Sequence, residues 1–313
     1  MSGLRSIIID TDTGADDVWA IVEALRATDI VRVEAVTAVC GNLPLELCVK
    51  NAMLASDAAG TYTPPVYRGM ERPLMRRFAE YAFDVHGADG LGGMDLPAPS
   101  RPAEKKRACD AIAELVMSRP GEIEIATIGP LTNIAMALLL EPRMAQNAKR
   151  LWILGGSASG RGNMSEYVEY NVGVDPEAAA IVAASGIDTV WVTWDTSRGE
   201  TEILPEELDA LAASGDPAGA FCARCIRGMM AWQRRHYAGR DAVGVIDSML
   251  MTAVIYPEVM EGVFPAHCSV ELAPGSRRGF FHIDRTAAPN GLVCPRIDAA
   301  AYKSKLFALL GLR

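Results

Sequence analysis

Apolar residues fall in two alternating textures along this chain. Short, mostly apolar stretches, at 6–9, 31–39, 66–67, 123–128, 151–154 and 189–192, read as buried strands. Between them, at 18–25, 45–59, 108–118, 133–141 and 176–184, apolar positions recur every three or four residues, the period of an amphipathic helix. Strand and helix in regular succession predict an α/β fold, an open, mostly parallel sheet with helices on both faces. The second half changes texture. Residues 205–256 are largely helical in pattern, 266–285 reads as a hairpin, and 299–310 as a closing helix. The stretches 69–106 and 157–170 keep neither period and read as loops; loops that long in a compact domain are often functional lids. No repeat, low-complexity tract or linker breaks the pattern, so residues 1–313 are expected to form a single domain.

In such sheets ligands bind beyond the carboxyl ends of the strands. Four turns occupy such places: the one after Ile9, Gly41-Asn42, Gly129-Pro130 and Gly155-Gly156. The first is the most unusual. It reads Asp10-Thr-Asp12-Thr-Gly14-Ala-Asp16-Asp17, after a buried strand and before an amphipathic helix. Aspartates at that density repel unless a positive charge sits among them. A hard divalent cation bound by carboxylate oxygens is the simplest solution. Gly14 suits a tight turn around it. Helix capping and the helix dipole account for Asp16 and Asp17, but not for four acids.

A second polar stretch runs from Gly155 through Gly162-Asn163 to Glu169-Tyr-Asn171. Glu169 and Asn171 are two residues apart and would face one side of an extended segment. With Asn163 they offer amide and carboxylate groups, which suit a polyol such as ribose. A polar surface loop would look the same. Asp175-Pro176-Glu177 reads as a helix start, with Asp175 as N-cap and Pro176 at the first helical position.

Charge and composition narrow the class. A formal net charge of −9 argues against nucleic acid or an anionic membrane as the main partner. The longest apolar region, 125–140, contains Gly129, Pro130, Thr132 and Asn133, so no transmembrane helix is expected. Nor is a signal peptide, because Asp10 and Asp12 interrupt where an apolar core should continue. Seven cysteines at irregular spacing predict free thiols in a reducing cytoplasm. Cys222 and Cys225 form a CxxC without a second pair, in a helical pattern, which argues against a zinc or redox role.

The chain resembles the inosine-uridine preferring nucleoside hydrolases. The likeness spans nearly the whole sequence. It rests on the Asp10–Asp17 motif, Gly41-Asn42, His86-Gly-Ala-Asp89-Gly-Leu-Gly92, Ile128-Gly-Pro-Leu-Thr-Asn133, Asn163 with Glu169-Tyr-Asn171 and Asp175-Pro-Glu-Ala178, and Ile246-Asp247. The resemblance implies an open α/β catalytic domain that cleaves the N-glycosidic bond of a ribonucleoside with water. It implies a calcium ion held by Asp12, Asp17, Asp247 and the backbone carbonyl of Ile128, with Asp12 also the general base. Asp16, Asn42, Asn163, Glu169 and Asn171 would hold the ribose hydroxyls, His86 would orient the loop or sugar region, and Asp10 would support the metal ligands from behind. A homodimer or homotetramer is implied too.

The chemistry suits these residue types. Loss of the base leaves oxocarbenium character on the ribose, which carboxylates stabilise. Calcium acidifies a water, and a carboxylate takes its proton. One departure stands out. Many family members carry a proton-donating histidine before the last aspartate, and here that position is Ile246. Candidates for replacing it, by proton donation or stacking, lie in Trp232-Gln-Arg-Arg-His236-Tyr237 and Tyr81-Ala-Phe83; plain packing explains the aromatics and a surface position His236. His267 and His282 sit in strand patterns and read as structural.

Two other readings fit part of the sequence. A haloacid-dehalogenase-like phosphatase would use Asp10 of Asp10-Thr-Asp12-Thr13 as nucleophile, but leaves the 163–171 block without a role. A nucleoside-binding protein with lost or weak turnover would account for Ile246, but keeps every expected metal and ribose ligand.

Overall fold

The computed structural model describes residues 3–76, 81–94, 96–237, 239 and 241–312. In chain order the first half contains β1 (Arg5–Thr11), α1 (Asp17–Arg26), β2 (Val31–Ala38), α2 (Leu45–Ala58), β3 (Val66–Arg68), α3 (Phe83–His86), β4 (Glu104–Arg107) and α4 (Ala108–Ser118). Then come β5 (Ile123–Thr127), α5 (Thr132–Leu140), α6 (Met144–Asn147), β6 (Arg150–Leu154), α7 (Tyr170–Val174), α8 (Pro176–Ala183) and β7 (Thr189–Val192). Three helices follow: α9 (Pro205–Ala212), α10 (Pro217–His236) and α11 (Ile246–Ile255). The chain ends with β8 (Met260–Glu261), β9 (Phe264–Val270), β10 (Phe281–Asp284), β11 (Gly291–Cys294), β12 (Arg296–Ile297) and α12 (Ala299–Leu309).

One ten-stranded sheet has the order β10-β9-β11-β7-β6-β5-β1-β2-β3-β4. From β11 to β4 every neighbour is parallel, and β9 runs antiparallel to both β11 and β10. Alternate residues of β1 reach opposite layers. Ile7 and Ile9 pack into a core with residues of α1, α2, α10, α11 and α12, and Ile8 into a core with residues of α4, α5 and α8. Burial on both faces explains why β1, β6 and β7 read as apolar runs rather than as alternating patterns.

The strand order creates the site. From β1 the chain steps to β2, β3 and β4 on one side, then crosses to β5 on the other. The carboxyl ends of β1 and β5 therefore flank a topological switch point, where a crevice opens in sheets of this kind. The Asp10–Asp17 segment leaves β1 there and Ile128 leaves β5.

Most predicted elements form within a residue or two of their expected ends, including the hairpin of β9 and β10 and the helix cap at Asp175. Differences fall where order is tertiary. β11 was not predicted; Leu292, Val293 and Cys294 of this four-residue strand pair in parallel with β7, about a hundred residues upstream. The stretch 69–106 contains α3 and β4, while residues 77–80 and 95 within it lie outside those described. α7 begins directly after Glu169, so the extended reading of Glu169–Asn171 is corrected: Glu169 is an N-cap and Asn171 lies in the first helical turn. All seven cysteines are free and buried. Among the described residues no helix is long and apolar enough to cross a membrane.

Asp175 joins three elements. It is fully buried, caps α8 through the Ala178 N–H at 3.0 Å, and accepts from Thr132 Oγ1 of α5 at 2.7 Å and the Leu74 N–H at 2.9 Å. Asp175→Ala removes a cap, worth about 1 kcal/mol, and strands buried donors at about 1–3 kcal/mol. We expect urea unfolding to report a loss of about 2–4 kcal/mol. A change within about 0.5 kcal/mol, as for an ordinary surface substitution, would contradict this.

Candidate active site

The acidic turn is built so that part of its charge stays unpaired. Asp17 opens α1 with both oxygens occupied: Oδ1 accepts from Thr11 Oγ1 at 2.5 Å and Oδ2 from the Gly14 N–H at 2.8 Å. Asp12 Oδ2 accepts from the Asn42 N–H at 2.6 Å. Asp12 Oδ1 and Asp16 Oδ1 are buried with no hydrogen-bond partner among the described residues. Asp16 stands at the N-cap of α1, yet its side chain makes no capping bond. Capping therefore does not explain this acid. Oxygens from Asp16, Asp17 and, across the molecule, Asp247 at the start of α11 all lie within 4.8 Å of one another. Buried carboxylates that close, with unsatisfied oxygens beside them, are a donor set for a hard cation.

Glycines permit the close approach. A Cβ at Gly41 would fall 2.1 Å from Asp12 Oδ2, and one at Gly129 would fall 2.8 Å from Asp12 Oδ1. Gly14 opens the turn at Ala15-Asp16 without a left-handed backbone, and a Cβ there would lie 2.6 Å from His86 Nδ1. His86 is buried on α3 and accepts the Ala15 N–H on Nδ1 at 3.2 Å. Burial lowers its pKa, opposed by Asp16. An acceptor Nδ1 with a lowered pKa means a neutral ring, so the 3.8 Å approach to Asp16 Oδ1 is no ion pair. His86 props the acidic turn.

Electrostatics follow from burial. Asp12 and Asp247 are pushed well above the ordinary carboxylate range, first by burial and then by neighbouring aspartates. Burial, with Asp16 adding to it, raises Asp17 to about 7. Asp10 is also raised to about 7 by burial, while Thr37 Oγ1 and Asn133 Nδ2 donate to its Oδ1. Asp10 does not line the cavity described next.

A cavity of about 350 Å³ opens against the acid cluster. Its wall includes Asp16, Asn42, His86, Ile128, Asn163, Glu169, Asn171, Ile246 and Asp247, drawn from six separate parts of the chain. Each polar group has a limited remaining capacity. Asn171 spends both amide hydrogens, on the Ile128 carbonyl at 3.0 Å and the Leu154 carbonyl at 3.2 Å, so its Oδ1 is what it can offer. Asn163 accepts the Tyr170 N–H on Oδ1 at 2.8 Å, leaving its amide nitrogen. Glu169 accepts backbone N–H groups of Asn171, Val172 and Gly156 at 2.9–3.1 Å, and burial raises it to about 7 against those bonds. Asn42 reaches Asp17 Oδ2 with Nδ2 at 3.4 Å.

The rest of the wall carries the aromatic and apolar side chains of Tyr81, Tyr170, Trp194, Met229, Trp232 and Tyr237, with the polar Asp84, Ser197, Arg198 and Gln233 among them. Trp232 Nε1 donates to Asp84 Oδ2 at 3.1 Å, and its ring stacks on His236 with centroids 4.5 Å apart. His236 is exposed and, like Phe83, does not line the cavity. His267 and His282 are on β9 and β10. The sequence reading missed Tyr170, whose hydroxyl donates to the Gly41 carbonyl at 3.0 Å, and Gln233, whose buried Oε1 has no partner among the described residues.

A stability profile follows. Asp10, Asp17 and Glu169 keep their protons up to about 7 in the folded chain, whereas unfolded carboxyls release theirs near 4. Between those values the native state binds more protons, so its stability falls as pH rises. In chelator, the melting temperature should drop from pH 5 to pH 8, and Asp17→Asn should flatten that slope. A flat or rising profile for the unsubstituted protein would overturn the protonation pattern.

The comparisons with known proteins agree with this geometry. The family model for inosine-uridine preferring nucleoside hydrolase matches residues 7–304. Uridine nucleosidase 1 of Arabidopsis thaliana is 39% identical over 258 residues, covering 82% of this chain and 75% of that protein. The non-specific ribonucleoside hydrolase RihC of Salmonella newport is 38% identical over 213 residues, 68% of each chain. The solved plant nucleoside hydrolase PpNRh1 superposes with a TM-score of 0.91 at 28% identity, covering 99% of both chains. With the sheet, the switch-point crevice and the acid cluster all in place, the chain belongs to the inosine-uridine preferring nucleoside hydrolase family, hydrolases of N-glycosidic bonds in nucleosides.

Proposed function

We propose that this protein hydrolyses ribonucleosides to ribose and free base, with calcium held by Asp12, Asp17, Asp247 and the Ile128 carbonyl. The observation that carries the reading is the pair of unpartnered buried oxygens, Asp12 Oδ1 and Asp16 Oδ1, among acids that repel one another. The three closest carboxylates include Asp16 rather than Asp12. We nevertheless assign Asp16 to a ribose hydroxyl, because it lines the cavity while Asp12 and Asp17 lie behind the wall. Calcium accepts six to eight oxygens, a number that leaves room for Asp12. When bound, calcium neutralises the acid cluster and makes a neighbouring water more acidic.

The chain's own groups do the rest. The Asn42 N–H fixes Asp12 Oδ2, leaving Oδ1 as the base that takes the water's proton. Asp16, Asn42, Asn163, Glu169 and Asn171 hold the sugar through the donors and acceptors left to them. Asp16 and Glu169 also face the developing positive charge of the ribose. The base stacks against the aromatic wall formed by Tyr81, Trp232 and Tyr237.

Asp12→Asn should lower kcat by about 10²–10⁴-fold, the range for a lost general base. Dialysis against chelator should abolish turnover of uridine and inosine, and calcium should restore it. Full activity in the chelated protein, or in the variant, would refute the assignment.

Ile246 generates a second prediction. Buried on the cavity wall, it cannot donate a proton to the leaving base. A missing general acid costs about 10²–10⁴-fold, and p-nitrophenyl riboside, whose leaving group needs no proton, should outpace uridine and inosine by that margin. Ile246→His should narrow the gap. Equal rates for the unsubstituted enzyme would place an acid elsewhere on the wall, with Tyr237→Phe the variant to locate it.

A further inference from the structure

α1 carries one more buried acid, Glu23, that no step of the hydrolysis uses. It lies six residues after Asp17, about 9 Å along the helix axis at ~1.5 Å per residue. The carboxyl is fully buried and faces α11. Its Oε2 accepts from Ser248 Oγ at 2.8 Å and its Oε1 from Thr252 Oγ1 at 2.5 Å. Both hydroxyls are fully buried as well. Ser248 directly follows Asp247. From the other side, Tyr302 Oη of α12 donates at 3.4 Å to the carbonyl of Val245, the N-cap of α11.

The two helices joined in this way hold the two halves of the acid cluster. α1 begins at Asp16 and Asp17, and α11 begins at Ile246 and Asp247. Val18, Ile21 and Leu25 of α1 belong to the same apolar core as Met249, Leu250 and Val254 of α11. Apolar contact is non-directional. By itself it does not fix the height of one helix against the other. Two hydrogen bonds to one carboxyl are directional and span one turn of α11. Burial pushes Glu23 up to about 8, so the link adds no further buried charge.

We propose that Glu23 is a positioning residue which, through Ser248 and Thr252, sets α11 against α1 so that Asp247 meets Asp17 at the metal site. The inference rests on the calcium reading given above.

Calorimetric titration with calcium ion alone tests it. Glu23→Ala should weaken calcium binding by roughly 10–100-fold, the usual effect of removing a group that orients a ligand. Glu23→Gln keeps an acceptor and a donor in the same shape and should restore near wild-type affinity. Ser248→Ala should weaken binding more than Thr252→Ala, because its hydroxyl is nearer Asp247 in the chain. At saturating calcium the KM for uridine should be unchanged in these variants. A folded Glu23→Ala protein with wild-type calcium affinity would overturn the inference, as would Glu23→Gln behaving like Glu23→Ala. Should Glu23→Ala fail to fold, unchanged affinity in Ser248→Ala overturns it instead. Wild-type protein that takes up no calcium would sink the metal assignment and this inference with it; calcium binding unchanged across all variants sinks the inference alone.

Discussion

Mutual repulsion among buried aspartates at the switch point of the sheet is the constraint on which the rest of this structure depends. Asp12, Asp16 and Asp17 come from the turn after β1, and Asp247 arrives from a helix more than two hundred residues later. Carboxylates gathered away from water raise one another's proton affinity, and the chain offers no cationic side chain beside the three closest of them among the described residues. The surrounding donors satisfy some oxygens and leave others. Thr11, Gly14 and Asn42 supply hydrogens to Asp17 and Asp12, while one oxygen each of Asp12 and Asp16 stays open. That division separates the groups that support the site from those that await a ligand.

The packing around the cluster serves the same end. Gly41 and Gly129 bring two neighbouring backbones against the Asp12 side chain, too close for any Cβ. His86 fills the space over Gly14 as a neutral ring, so it holds the turn in place without cancelling its charge. Asn171 shows the same economy of valence. Its amide hydrogens tie down the carbonyls at the ends of β5 and β6, and its oxygen alone is left for the cavity. A polar residue on the cavity wall is therefore partly structural, and what it can recognise is what its supporting bonds leave over.

How much of this was legible in the sequence depends on distance along the chain. β1, α1, β2, α2, β5 and β7 were readable because their patterns are local and burial on both faces keeps the strands mostly apolar. The Asp175 cap was readable for the same reason, since its Pro176 and Ala178 partners are adjacent. The density of aspartates after Ile9 was enough to point to a cation. β11 was not legible: four residues gain strand geometry by lying between β7 and β9. Glu169 and Asn171 were seen as ligands but in the wrong conformation, because the helix that Glu169 caps is only five residues long.

Sequence alone therefore determined the sheet class, the acidic turn and, through resemblance, the family and its expected ligands. Tertiary structure decided which atoms are free. That Asp16 makes no cap, that a histidine ring packs against Gly14, and that Tyr170 and Gln233 line the cavity all depend on contacts between distant segments. Burial and hydrogen-bond satisfaction are properties of the space around an atom, and that space is filled by residues from elsewhere in the chain. Residue type and spacing carry the chemistry a site could have; only packing fixes which lone pairs and protons are left to perform it.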